Sequence, residues 1–395
     1  MTSIARKNLL EDFPRFLVAQ AGIMFAVSLV TIQTGLQYGF AQSSSQLISQ
    51  SRADIWVSSK NMEHIDLTRP LSYDLVAKAR QVAGVSQAEA VIIRGGLWHE
   101  LESDKISSVT MVGAVPGGML FPTSKIINGS FNDLKEPYRF IIDRSNLKSL
   151  NLQKLGEVGE INNIPAKLVG FTEGTQSIVF GTLMFTSLES ANTYINYGSE
   201  TSSPTSDKGL SVKKLSSTDP ISFILIRAKP GQNIETLKRK LEETLPDTRA
   251  YTRKAMAEVT QSYWQERSGI GFILGIGAVV GIVVGSVVVS QILYASVTDH
   301  IKEFGTLKAM GASDWFIYSV IIEQGLWMAI IGYIPGMAVC LGVAAWTATS
   351  QGIVILITPT SAAVVLGITA LMCVCSAIFA IQKVTHVDPA IVFKG

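Results

Sequence analysis

The sequence predicts an α-helical membrane protein with four spans: one helix, a large outer α+β domain carrying a β-rich insertion, then three helices. Three observations predict it. Of 395 residues, 47% are hydrophobic and 16% charged, against about 25% charged in ordinary soluble domains. Four runs reach the roughly 20 apolar residues that cross a hydrocarbon core: about Phe16 to Tyr38, Gly269 to Val297, Phe316 to Thr349 and Ser361 to Ile381. Between the first two lies a long stretch of ordinary polar sequence, enough for one or two soluble domains.

Residues 1–15 read as an amphipathic N-terminal segment with Arg6, Lys7 and Arg15. A secretory leader is the rival reading. Arg15 abuts the apolar run, the run exceeds the usual 7–15 residues of such a segment, and Phe40-Ala41-Gln42 is a poor cleavage site. A retained first span with a polar helical extension, 16–51, is the better reading.

The outer domain runs from 52 to 253. Residues 54–57, 91–93 and 109–112 read as strands, with a turn at Glu102-Ser103-Asp104. Ser72 to Val82 reads as a helix with Leu75, Val76 and Ala79 on one side and Gly84 as its stop. Residues 116–219 change character, with strand-like Tyr138–Ile142 and Ala166–Phe171, recurrent glycines, and a Ser/Thr-rich loop from Gly198 to Asp219. The first pattern then returns: strand 221–226, turn Lys229-Pro230-Gly231, amphipathic helix 234–245, strand 249–252. So 52–115 and 220–253 form one α+β layer, and 116–219 is a β-rich subdomain and loop inserted into it. From Lys254 the pattern predicts one helix running through a stalk into the second span, 254–297, with Ala255, Val259, Tyr263 and Trp264 facing the extension of the first; the alternative is a helix that ends at the membrane with interfacial aromatics.

A polar island, 298–315, separates the second and third spans, and its core reads TDHIKEFGTLKAMGAS (298–313). The third span is 316–349, a short outer loop 350–360, the fourth span 361–382 and the tail 383–395. Lys and Arg in short loops set orientation. The N-terminal segment, the island (Lys302, Lys308) and the tail (Lys383, Lys394) carry them, whereas Gln351–Pro359 has none. Both termini and the island are therefore expected in the cytoplasm, and the large domain outside.

The absences exclude several classes. No Gly-Lys pair occurs, so there is no phosphate-cradling P-loop. The four histidines are scattered, and Cys340, Cys373 and Cys375 fall in apolar runs, so neither a metal site nor a disulfide framework is expected. Nothing points to nucleic acid. Glu323 is the one ionisable residue inside the runs, which disfavours coupling to an ion gradient. It reads either as a carboxylate snorkelling to the interface or as a functional group.

Gly277, Gly281 and Gly285 repeat the G-x-x-x-G spacing that lets helices approach closely, either within the subunit or across a dimer. Gly332, Pro335 and Gly336 predict a kink in the third span. In the island, Ile301, Phe304, Leu307, Lys308 and Met310 fit a short helix with Gly311 as its C-cap. So short a helix is marginal in water, and Phe304, Leu307 and Met310 would be wasted there, so the island is expected to dock against something rather than to form a solvated turn at the membrane surface.

The string KEFGTLKAMGAS, 302–313, resembles the E-[IFY]-[GA]-x-L-[KR]-A-[MLI]-G-A-S signature of the MacB/FtsX-type permeases of ABC transporters. The order of spans and the tail Asp388-Pro389-Ala390-Ile391-Val392-Phe393 resemble that family too. Within it, Tyr263-Trp264, Gly271-Phe272, Ser290–Tyr294 and Asp299-His300 are similar to the cyanobacterial DevC-like permeases. The resemblance implies a homodimeric inner-membrane permease with a periplasmic outer domain, working by mechanotransmission. It implies no catalytic residue or cofactor in this chain, with ATP and Mg on a cytoplasmic DevA-like ABC ATPase. A DevB-like membrane-fusion adaptor, a TolC-like outer-membrane protein and membrane lipids would be the further partners, and a lipid, glycolipid or other hydrophobic molecule the cargo. ATPase coupling then falls on Glu303, Phe304, Gly305, Leu307, Lys308, Ala309, Gly311, Ala312 and Ser313, with Asp388 and Pro389 as a second contact. An FtsX-like regulator of a periplasmic hydrolase and a LolC-like lipoprotein-releasing subunit are the alternatives on the same fold.

Overall fold

The computed structural model describes residues 13–121, 125–196, 214–267, 269–350 and 353–385. The chain divides into two compact units. The helical unit comprises residues 1–39, 269–348 and 354–395. Four of its helices among the described residues are long and apolar enough to cross a membrane: α1 (Phe13–Gln50, whose last turns leave the unit), α6 (Ile270–Asp299), α8 (Asp314–Ser350) and α9 (Pro359–Thr385). The short helix α7 (Ile301–Ala309) fills the hairpin between α6 and α8.

Small residues set how these helices meet. The buried residues of α6 are Gly281, Gly285, Val289, Leu293 and Val297, a row of every fourth residue, which is a packing ridge. A Cβ on Gly285 would lie 2.6 Å from Ala26 Cβ, one on Gly281 3.1 Å from Leu29, and one on Gly277 2.7 Å from the Gln33 amide. The G-x-x-x-G face is therefore an intrasubunit seam between α6 and α1. Gly332 and Gly336 of α8 approach Ile23 and Val27 of α1 in the same way. The helix continues through Pro335 without interruption.

That register locates Glu323. Stepping back along α8 and α1 together, at equal rise per residue, brings Glu323 level with about residue 14 of α1. It lies at the hairpin end of the bundle, where Trp327 Nε1 donates to its Oε1 at 3.3 Å. The snorkelling interpretation fits this depth.

The second unit is residues 40–268 with 349–353. Its strands are β1 (Ile55–Ser59), β2 (Leu71–Ser72), β3 (Val85–Glu100), β4 (Lys105–Ala114), β5 (Ile126–Asn128), β6 (Arg139–Asp143), β7 (Val158–Ile161), β8 (Ile164–Thr172), β9 (Thr182–Ser187), β10 (Pro220–Ile221), β11 (Phe223–Ala228) and β12 (Thr248–Thr252). Helices α2 (Asp74–Gln81), α3 (Leu188–Asn196), α4 (Ile234–Thr244) and α5 (Arg253–Ser262) accompany them. One sheet runs β12-β1-β11-β3-β4-β9-β6-β8-β5, and β2 pairs with β10 apart from it.

Alternation along the strands sorts two cores. Ile55, Val57, Ile224 and Ile226 pack against Leu75, Val76 and Ala79 of α2 and Leu237 and Leu241 of α4. Trp56, Phe223 and Leu225 face the other way, toward Leu47 and Ile48 of α1 and Met256 of α5. The strands of 116–196 do not stack as a separate layer. They extend the same sheet, and β7 pairs with both β3 and β8. The ring β3-β4-β9-β6-β8-β7 thereby closes into a small barrel. Its interior holds Trp98, Met111, Phe140, Ile142, Leu168 and Met184. Closure needs bending, and Gly95 and Gly96 sit mid-strand in β3 where the strand passes from layer to barrel.

The single helix expected over 254–297 is corrected. α5 ends at Ser262, a π-helical turn occupies Tyr263–Arg267, and α6 begins only at Ile270. Gly269 takes φ +73, left-handed, where residues with a Cβ are strained. Before the break, the expected contact with the first helix holds in part: Gln261 Nε2 donates to Ser45 Oγ at 2.6 Å, and Trp264 packs on Phe40 with centroids 5.7 Å apart. Tyr263 instead stacks on His64 at 4.1 Å.

Candidate functional site

The hairpin joining α6 to α8 is built by end-chemistry of helices. Helix α7 closes in a Schellman arrangement: Ala312 N–H donates to Leu307 O and Gly311 N–H to Lys308 O, both at 3.0 Å, and Gly311 takes φ +97. Ser313 then caps α8, its Oγ accepting from Phe316 N–H at 3.3 Å. Asp314 supplies negative charge to the first turn of α8 and pairs with Lys308 Nζ at 2.9 Å. His300 Nδ1 lies 3.1 Å from Glu303 Oε1 at the start of α7. Arg15 of α1 pairs with Asp299 at the end of α6.

Packing divides the predicted residues into two groups. Phe304 is 2% exposed and, with half-buried Leu307, belongs to the core of the helical unit together with Val297, Ile317 and Ile321. Gly305 is buried beside it. The expected docking of Phe304 and Leu307 is met within the chain, because the bundle itself covers them. Glu303, Ala309, Gly311 and Ser313 are exposed, and Lys308 and Ala312 half-buried. Met310, at 72%, and Trp315, at 76%, present bare apolar surface. Trp315 precedes Glu323 by two turns, about 12 Å along α8. Sequence reasoning passed over Trp315; an indole directly after the acidic first residue of a span was the available signal. Asp388 and Pro389 lie outside the described residues. Among the described residues no cluster of His, Cys, Asp and Glu could hold a metal ion.

Two family models match: the MacB-like periplasmic core domain over residues 16–244 and the FtsX-like permease C-terminal over residues 275–389. The chain belongs to the MacB/FtsX family of ABC-type permeases. It is 22% identical over 334 residues to a probable export ATP-binding/permease protein MacB from Pseudomonas entomophila, covering 82% of this chain and 47% of that one. It is 24% identical over 213 residues to a macrolide export ATP-binding/permease protein MacB from Burkholderia lata, covering 52% and 28%. It is 25% identical over 187 residues to a probable syringafactin export ATP-binding/permease protein from Pseudomonas syringae, covering 47% and 26%. The chain thus spans at most about half the length of these relatives. The periplasmic region of MacB from Actinobacillus actinomycetemcomitans matches 53% of this chain and 94% of its own at 11% identity and a TM-score of 0.38.

In this MacB/FtsX-family chain the periplasmic-core match takes in α1 and most of the outer domain, and the FtsX-like match takes in the whole hairpin. The hairpin is a knuckle packed into the bundle by Phe304 and Leu307, with Met310 and Trp315 left exposed.

Proposed function

We propose that this chain is the transmembrane subunit of an ATP-driven exporter that works by mechanotransmission, of the DevC-like kind. It sits in the inner membrane as a homodimer with both termini and the hairpin in the cytoplasm. A DevA-like ATPase holds the ATP and Mg and moves the hairpin. A DevB-like adaptor and a TolC-like duct complete the path, and a lipid, glycolipid or similar hydrophobic molecule is the cargo.

The observation that carries this reading is the division of labour in α7. One face is locked into the bundle, so displacement of the knuckle must displace helices. Just beyond its C-terminal end, Met310 and, in the first turn of α8, Trp315 are uncovered, and exposed apolar side chains mark docking surfaces.

The test is the Trp315→Glu variant, with Met310→Glu as its companion, in the assembled complex. Both should insert and dimerise normally yet lose transport-coupled ATP hydrolysis. Coupled turnover at the parent rate in both would remove the hairpin from the ATPase contact. A second check is orientation: cysteine labelling at 310 should occur only from the cytoplasmic side.

A further inference from the structure

The barrel of the outer domain closes through a very short seam. β3 and β7 pair only at Trp98–Ile161 and His99–Glu160. Asn162 adds to the seam: its N–H donates to Leu97 O and its Oδ1 accepts from Leu97 N–H, both at 3.0 Å. Inside, Trp98 is wholly buried, with its Nε1 donating to Leu150 O at 3.1 Å. Gly159 makes room for it, since a Cβ there would lie 2.4 Å from the indole.

Outside, His99 stands between two carboxylates. Its Nε2 is 2.5 Å from Asp104 Oδ1 in the β3–β4 turn, and its Nδ1 is 3.5 Å from Glu160 Oε2 in β7. Only an imidazolium donates from both nitrogens. We propose that this seam is a proton-operated latch, closed while both ring nitrogens of His99 carry a proton and slack once one is lost.

The surroundings support the sign. Asp104 first, then Glu160, raise the proton affinity of His99 above the ordinary histidine range, against the opposing cost of desolvation. From α3, Tyr194 lines the same cavity, and burial pushes its phenol further up, so it stays neutral. On β3 itself, Glu100 is pinned at about 2 by Ser103 and the N–H groups of the turn, and it stays anionic. Lys105 faces Glu100 across the hairpin. Among the groups named at this seam, His99 is the imidazole, the side chain whose ordinary titration range lies near neutral pH. A raised affinity means the latch is engaged below the ordinary histidine range and released as pH climbs through the raised value. Release frees the wall of a cavity of about 490 Å³ beside Leu97, Ile106 and Asn162.

The experiment is hydrogen exchange by mass spectrometry on the full chain in detergent, from mildly acid to mildly alkaline pH, with rates corrected for intrinsic exchange. Protection of segments 97–100 and 158–162 should fall several-fold with a single titration step. His99→Gln should abolish the step, and Asp104→Asn should shift its midpoint to lower pH. His64→Gln, at the other histidine of the outer domain, should leave it in place. A flat profile in the parent, a step surviving in His99→Gln, or an unmoved midpoint in Asp104→Asn would overturn the latch.

Discussion

Phe304 lies buried within α7 and Met310 lies exposed at its C-cap, and their substitutions should separate stability from coupling. Phe304→Ala opens a hole in the helical core beside Ile317 and Ile321. Emptying a packed Phe site costs about 3–5 kcal/mol, so the detergent melting temperature should fall clearly. Met310→Ala removes only exposed surface. It should leave the melting temperature unchanged and lower coupled ATP turnover. Equal melting temperatures for both variants would contradict the packing described. Glu100 offers a second residue-scale prediction. Its carboxylate accepts from Glu102 N–H, Ser103 N–H, Ser103 Oγ and Asn151 Nδ2, and these donors hold it at about 2 against an ordinary 4.5. A depressed carboxyl stabilises above its ordinary value and loses that contribution as pH falls toward the depressed one. Glu100→Gln should therefore melt lower than the parent at neutral pH, with the gap shrinking as pH approaches 2. A gap independent of pH would mean that only shape was lost.

Helix α6 shows what an element's sequence can and cannot reveal. It is apolar all round, so hydropathy says it spans a membrane and is silent about which face is buried. The glycine spacing at 277, 281 and 285 does mark the face, because the requirement for close approach leaves a signature that hydropathy does not. It left open whether the neighbour was another subunit, and the structure supplies α1 as that neighbour. The break at Gly269 was illegible for a related reason: a single glycine at a helix junction reads the same whether its φ is negative or, as here, +73. A matched pair tests the seam. Gly285→Leu would drive carbon atoms into Ala26 and Met372, whereas a side chain on Gly275 meets nothing within 4 Å. Gly285→Leu should lower the yield of folded protein and its melting temperature, and Gly275→Leu should match the parent. A tolerated leucine at 285 would argue against the α1–α6 contact.

At the scale of the whole molecule, span number and order were legible because hydrocarbon thickness imposes a length that few other elements satisfy. Strand positions near 55, 92, 110, 140, 168 and 224 were legible from apolar runs, yet strand partners were not. The barrel depends on β7 meeting β3 across some sixty residues, and nothing local in Val158–Ile161 announces that pairing. The hairpin was legible as a unit, while the division of its side chains between bundle and tip required the bundle. If force enters at the hairpin, it must reach the outer domain through continuous structure. α1 is one helix from Phe13 to Gln50. Its outer end is bonded into the domain through Ser43, whose Oγ accepts from Ile178 N–H at 2.8 Å, and through Gln46 and the Gly174 carbonyl. The other connection is interrupted by the π-turn and Gly269. A stiff rod transmits displacement and a jointed one does not, so α1 should carry the stroke. Inserting three glycines after Gln42 should leave ATP hydrolysis by the complex intact and abolish export. The same insertion after Gly269 should be much milder. Export that survives the first insertion but fails with the second would assign the stroke to the jointed connection and refute transmission through α1.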